Sequence, residues 1–158
     1  MTSAREAEVW RALAEVRDPE LPVVSIVELG IVRYVHFRDA THLHVGITPT
    51  YSGCPATELI RVAVGRSLAG AGYAEAVVEE VLSPAWTSDW ITEEGRRKLA
   101  AYGIAPPERS AEPPASGIAC PRCGSRATEL VSRFGSTPCK AQYRCTACLE
   151  PFDYFKCL

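Results

Sequence analysis

The chain has 158 residues, 47% of them apolar, and a net charge of −2. Such values fit a soluble globular protein with room for one ordinary domain and a small module. They exclude a disordered or strongly basic chain, and no segment approaches the ~20 apolar residues of a membrane span. The charge is unevenly divided: residues 1–117 carry 11 Lys or Arg against 16 Asp or Glu, and residues 118–158 carry 6 against 3. A surplus of +3 in the tail is small beside the phosphate contacts that a nucleic-acid binder makes.

Ser3 and Glu6 have the spacing of a capping box, and Val9, Leu13 and Val16 recur at helical intervals, which predicts an amphipathic helix of about four turns. Asp18-Pro19-Glu20-Leu21-Pro22 then reads as an ordered loop, because proline biases the residue before it away from the helical region. Asp18 and Glu20 are read either as site carboxylates or as caps and solvated turn residues. Ile31 to Phe37 and Leu43 to Ile47 alternate as two strands of a hairpin, joined through residues 38–41. His36, His42 and His44 fall on its polar side, as a metal patch or as exposed polar residues of a half-covered sheet.

Thr48 to Pro55 reads as a strand-to-helix turn, with Pro55 at the first helical position and Leu59, Val62, Ala63 and Leu68 continuing a helix that Gly70 or Gly72 closes. That places Cys54 at a helix N-terminus, where unpaired N–H groups and the helix dipole favour a thiolate. The alternative is a buried, inert thiol. Residues 77–82 suggest a third strand, and a loop with Trp86 and Trp90 as packing residues leads into a helix from about Ile91 to Tyr102, stopped by Gly103. Residues 105–117 hold four prolines and read as a semi-rigid linker.

In the tail, Cys120-Pro121-Arg122-Cys123 and Cys145-Thr146-Ala147-Cys148 are two knuckles separated by 21 residues. Two residues between thiolates let both sulfurs point at one ion, and a second knuckle completes a tetrahedron. Arg122, Lys140 and Arg144 lie close enough in sequence to offset the thiolate charge. A module this short needs the metal in order to fold. Zinc is the expected ion, with iron open at the same four cysteines. Cys139 and Cys157 stand outside the ligand set, in packing roles or paired with each other. The fold class is therefore α+β: a small three-stranded sheet with flanking helices in residues 1–104, the linker over 105–117, and a zinc-ribbon-like module over 118–158. Cysteines in knuckle spacing, without a signal-peptide pattern at the start of the sequence, point to the reducing cytoplasm.

Asp18-Pro19-Glu20, Leu29-Gly30-Ile31-Val32, the Thr50 to Pro55 loop and Pro84-Ala85-Trp86-Thr87 together resemble the small α+β domain of SufT-like iron–sulfur assembly proteins. With the tail stretches Phe134 to Ala141 and Glu150 to Cys157, nearly the whole chain is similar to the PaaD (also PaaJ) family, subunits encoded with the multicomponent ring 1,2-phenylacetyl-CoA epoxidase. The resemblance implies a part in aerobic phenylacetate breakdown beside a di-iron oxygenase and its reductase, with no catalytic activity of its own. The sequence agrees, having neither Glu-x-x-His helix pairs nor a glycine-rich dinucleotide loop. Kinship with assembly proteins further implies that Cys54, with Asp18 and Glu20 as helpers, holds iron or an Fe–S cluster transiently for delivery to the oxygenase.

Against this maturation reading stand three others. A structural oxygenase subunit would bury Cys54 and copurify with its partners in fixed ratio. A nucleic-acid-binding ribbon would need one face built from Arg133, Phe134, Lys140, Tyr143, Arg144 and Phe155. A free-standing thiol enzyme would want a base beside Cys54, and no histidine lies close in sequence. The oligomeric state stays open, a homo-oligomer included.

Overall fold

The computed structural model describes residues 3–51, 53–108 and 117–156. It divides into two compact units, Met1–Trp86 and Thr87–Leu158. No helix among the described residues is long and apolar enough to cross a membrane.

The first unit opens with α1 (Ala4–Leu13), whose capping box closes as its spacing predicts: Glu6 N–H donates to Ser3 Oγ and Ser3 N–H to Glu6 Oε2. The helix stops at Leu13, one turn short of the expected length, and Val16 is buried from the turn that follows. Strands β1 (Val32–Phe37) and β2 (Leu43–Ile47) form the antiparallel hairpin, and β3 (Val77–Glu80) pairs parallel to β2 after the crossover through α2 (Ala56–Gly70). Leu43, Val45 and Ile47 on one sheet face join Val9, Leu13, Ile60, Val64 and Leu68 in burial, so α1 and α2 cover that face.

The apolar face of α2 differs from the one the sequence suggests. Its buried residues are Ala56, Ile60, Val64 and Leu68, at strict four-residue steps, while Leu59 and Val62 are 62% and 45% exposed. A run this rich in apolar residues offers two helical stripes, and hydrophobicity alone does not choose between them.

The loop after α1 is ordered by its own polar groups. Ile26 N–H donates to Val16 C=O and Asp18 N–H to Val24 C=O. Ser25 and Glu28 exchange reciprocal backbone-to-side-chain bonds. Gly30 takes a φ of 72°, which lets the chain turn into β1. Trp86 is buried and its indole N–H donates to Leu29 C=O at 2.8 Å, so it packs the loop, as the sequence suggests.

The second unit holds α3 (Glu93–Ala101) and a four-stranded sheet in the order β4-β7-β6-β5, from β4 (Ile104–Ala105), β5 (Thr128–Ser132), β6 (Lys140–Cys145) and β7 (Pro151–Phe155). Thr92 caps α3 through Gly95 N–H. Two features depart from the reading by composition. The third helix clusters with this unit, whereas the expected N-terminal domain runs to residue 104. Ala105, expected to open the linker, is a buried strand residue paired with Tyr154. A two-residue strand is set by its distant partner rather than by local pattern, so periodicity does not reveal it. Residues 109–116 of the expected linker lie outside the described residues.

Candidate metal centre and the Cys54 loop

The first knuckle is shaped by the backbone. Cys120 N–H donates to Ser125 C=O and Gly124 N–H to Cys120 C=O, both at 2.9 Å, with Gly124 at φ 78°. The second repeats the design: Cys145 N–H donates to Glu150 C=O, Cys148 N–H approaches Cys145 Sγ at 3.5 Å, and Leu149, the residue after the knuckle, also takes a left-handed φ of 66°. Glycine adopts that conformation without penalty and leucine does not. Leu149 is 70% exposed, so packing gives nothing back there.

Both knuckles aim at one point. Cys120 Sγ lies 3.8 Å from Cys148 Sγ, Cys123 Sγ lies 3.5 Å from Cys145 Sγ, and all four sulfurs fall within 4.8 Å of one another. Disulfides would bring sulfurs to about 2.05 Å. Four thiolates on a tetrahedral ion at about 2.3 Å stand about 3.8 Å apart along each edge, so the arrangement fits such an ion. Cys145 is brought down to about 7, first by the Cys148 N–H and then by the Ala147 N–H. Cys148 is pushed up to about 12: the Glu150 N–H favours its thiolate, but burial and the shared protons of its sulfur neighbours outweigh that bond. Cys120 and Cys145 are buried among Ala105, Ile118, Ala141, Tyr143, Phe152 and Tyr154, so the candidate metal ligands and the apolar core of this unit are continuous.

The cations expected to balance the thiolates are engaged elsewhere: Arg122 pairs with Glu150 at 3.0 Å and Arg144 with Glu129, while Lys140 is buried. Cys139 stands outside the ligand group, buried beside Thr137 Oγ1 at 3.0 Å. Its suggested partner Cys157 lies outside the described residues. The nucleic-acid face is not assembled, because Tyr143 and Phe155 are 9% and 1% exposed and have no ring face to offer a base.

In the first unit, Cys54 is half-buried two residues before α2 begins, and its N–H donates to Tyr51 C=O next to Gly53 at φ 74°. Pro55 sits at the cap, one position before the expected one, and supplies no side-chain cap. Thr57 N–H donates to Cys54 C=O, and Thr57 Oγ1 is buried without a hydrogen-bond partner among the described residues. Asp18 is buried, and its Oδ1 accepts from Glu20 N–H and Leu21 N–H at 2.8 Å each, so one carboxylate oxygen holds the loop. Glu20 is half-buried. Among the described residues only the four tail cysteines bring three or more metal-binding side chains this close, so Cys54, Asp18 and Glu20 do not form a preassembled cage.

Against known proteins, residues 104–156 match the family model of the PaaD zinc beta ribbon domain, and residues 6–82 match that of the iron-sulfur cluster assembly protein family. A putative 1,2-phenylacetyl-CoA epoxidase component of Escherichia coli K12, the D-type subunit, is 47% identical over 155 residues, 96% of this chain and 92% of that protein. The chain belongs to the PaaD family. Its first unit also has solved relatives. A DUF59 domain of Bacillus anthracis, 30% identical, covers 61% of this chain and 92% of its own at a TM-score of 0.57. A conserved hypothetical protein of Thermotoga maritima, 26% identical, covers 63% and 97% at 0.52.

The charged residue that reasoning from sequence left unassigned is Glu79. It joins Tyr34 and His44 on the face of the sheet away from the helices. The signal was a pair of acids, Glu79 and Glu80, after two valines in one short strand, but the parallel register that sets Glu79 opposite Gly46 is not readable from the chain.

Proposed function

We propose that this chain is a non-catalytic accessory subunit of a phenylacetyl-CoA epoxidase system that delivers or inserts iron, or an Fe–S cluster, into the oxygenase. The observation that carries the reading is the Cys54 loop: a half-exposed thiol at the mouth of α2, in a unit that matches the iron-sulfur cluster assembly family. A single thiolate with no preassembled cage suits cargo that must leave again, whereas four converging sulfurs suit an ion that stays. The buried, unpartnered Thr57 hydroxyl, in the first turn of the same helix, adds a polar group that the fold itself does not use. Asp18 and Glu20 would serve as helpers, Asp18 by fixing the loop after α1.

The tail would hold one structural zinc through Cys120, Cys123, Cys145 and Cys148, because four thiolates and no open position make a closed site. Thiol ligands require a reducing compartment, which supports a cytoplasmic setting. Partners would be the oxygenase subunits, met in part through Leu59 and Val62 on the exposed side of α2. A second reading, a permanent structural subunit, is favoured by Leu130, Val131 and Phe134, at 49%, 60% and 66% exposure in and after the edge strand β5.

The two readings separate when the oxygenase is expressed with and without this chain. A delivery factor lowers iron per catalytic complex when it is withheld and is needed in less than stoichiometric amount. Unchanged iron content, together with fixed-ratio copurification, would leave only the structural role.

A further inference from the structure

The face of the first sheet that α1 and α2 leave uncovered carries a polar cluster that the Cys54 loop does not use. His36 and His44 are direct register partners across the β1–β2 ladder, so both side chains rise from the same face with Cβ atoms about 4.5–5.5 Å apart. One step along the ladder Tyr34 faces Gly46, and a Cβ added at Gly46 would come within 2.3 Å of the Tyr34 ring, so the glycine is what lets the tyrosine lie flat over the strand. From there the Tyr34 hydroxyl reaches Glu79 Oε2 on the neighbouring β3, and Glu79 Oε1 lies 3.1 Å from His44 Nδ1.

That chain of contacts fixes the histidine. The Tyr34 hydrogen bond first, and the His44 ring next, hold the Glu79 carboxyl below the usual carboxylate range. An ionised carboxylate only accepts, so His44 Nδ1 donates to Glu79, and in the neutral ring that tautomer keeps the lone pair on Nε2. A carboxylate holding one ring nitrogen of a histidine whose other nitrogen is turned to a cation is the usual outer support of metal-ligating histidines. His36, exposed and directly across the ladder, supplies a second imidazole within reach of one ion. The other groups around the cluster are Val77 on β3 beside His44, and Arg38 just beyond β1. His42 is not part of it, because it lies before β2 in the hairpin turn, held there by Asp39 at 2.7 Å.

We propose that His36 and His44 form a two-imidazole site for a divalent first-row transition cation on the open face of this sheet, with Glu79 and Tyr34 as positioning residues. Imidazole nitrogens suit zinc, copper, nickel and ferrous iron, and water completes the shell of an ion held by two protein ligands on an exposed face. The site uses neither the four tail cysteines nor Cys54, and stands whether or not the delivery reading does.

The test uses the full chain with its cysteine site already filled by one zinc, titrated with further Zn(II) in equilibrium dialysis while the histidine imidazole resonances are followed by NMR. A second saturable equivalent is expected, moving the His36 and His44 signals and sparing His42. His36→Ala, at an exposed position that threatens no packing, abolishes the second equivalent, and His44→Ala does the same. Glu79→Gln keeps it with affinity weakened about 10–100-fold, as loss of a supporting carboxylate does. Cys54→Ser and His42→Ala leave it unchanged. A wild-type chain that takes up only one zinc, or a folded His36→Ala/His44→Ala double variant that still takes up two, would overturn the proposal.

Discussion

In the unit Met1–Trp86, Val9, Leu13, Val24, Leu43, Val45, Val64 and Leu68 are fully buried, and its three-stranded sheet rests on two helices. In the unit Thr87–Leu158, the sheet buries two of its four clustered cysteines among three aromatic rings, Tyr143, Phe152 and Tyr154, with Tyr143 against Tyr154 at 5.6 Å edge to face. The first unit is organised by apolar area removed from water, at roughly 25 cal/mol per Å². The second is a small sheet whose strands meet at a bundle of thiols, so its cohesion depends on what those thiols bind. The difference teaches where change is tolerated: a chain held by many weak contacts survives the loss of one polar group, and a chain tied at one point does not survive the loss of the tie.

The largest effect should follow from untying the second unit. Cys145→Ser, or strong chelator, is expected to abolish metal binding by the tail cysteines and the dispersed amide signals of residues 118–156 while those of residues 4–86 persist. Survival of the tail signals without metal would mean that the aromatic core alone suffices. The converse lies in the first unit, where Ile47→Ala removes a side chain that is 1% exposed and should cost about 2–5 kcal/mol in denaturant unfolding, with metal per chain unchanged. Trp86→Phe keeps an aromatic ring, though a smaller one, and loses the donor to Leu29 C=O, whose unmet acceptor alone is an expected loss of about 1–3 kcal/mol. In the second unit Leu149→Gly should work the other way. Relief of the left-handed backbone, less the added freedom of the unfolded chain, is expected to raise the stability of the metal-bound ribbon by about 0.5–1 kcal/mol, read as a higher melting temperature.

The smallest effect concerns Asp39. Its carboxyl accepts first from Thr41 N–H and then from His42 N–H, which holds its pKa well below the ordinary carboxylate value. A group whose folded pKa is depressed contributes fully above its unfolded value, near 3.9, and the contribution is lost as pH falls toward the folded one. The hairpin turn should therefore hold its amide shifts at Thr41 and His42 down to below pH 4, and Asp39→Asn should flatten that titration.

Much of this was legible in the chain. Ser3 and Glu6 close the expected capping box, alternation from Leu43 to Ile47 marks the buried strand, and the knuckle spacing locates the four sulfurs, because each signal is local and has one physical meaning. What stayed hidden is long-range. Ala105 becomes a strand only because Tyr154 lies beside it, and Glu79 becomes a partner of His44 only through a parallel register. Hydrophobicity left two candidate stripes on α2, and the sheet beneath chose the one through Ile60 and Val64. At Cys54 the residue and its helix could be read directly, while its half-burial is a product of packing.

The measurement that bears most directly on delivery is iron per catalytic complex when the oxygenase is co-expressed with this chain or with its Cys54→Ser variant, with metal per accessory chain as the internal control. Serine keeps the size of cysteine but binds soft or borderline metals poorly. The expected result is an intact, metal-loaded ribbon beside an oxygenase several-fold depleted in iron and proportionally slower. Equal iron and equal turnover with both chains, at equal accessory protein, would contradict delivery through Cys54.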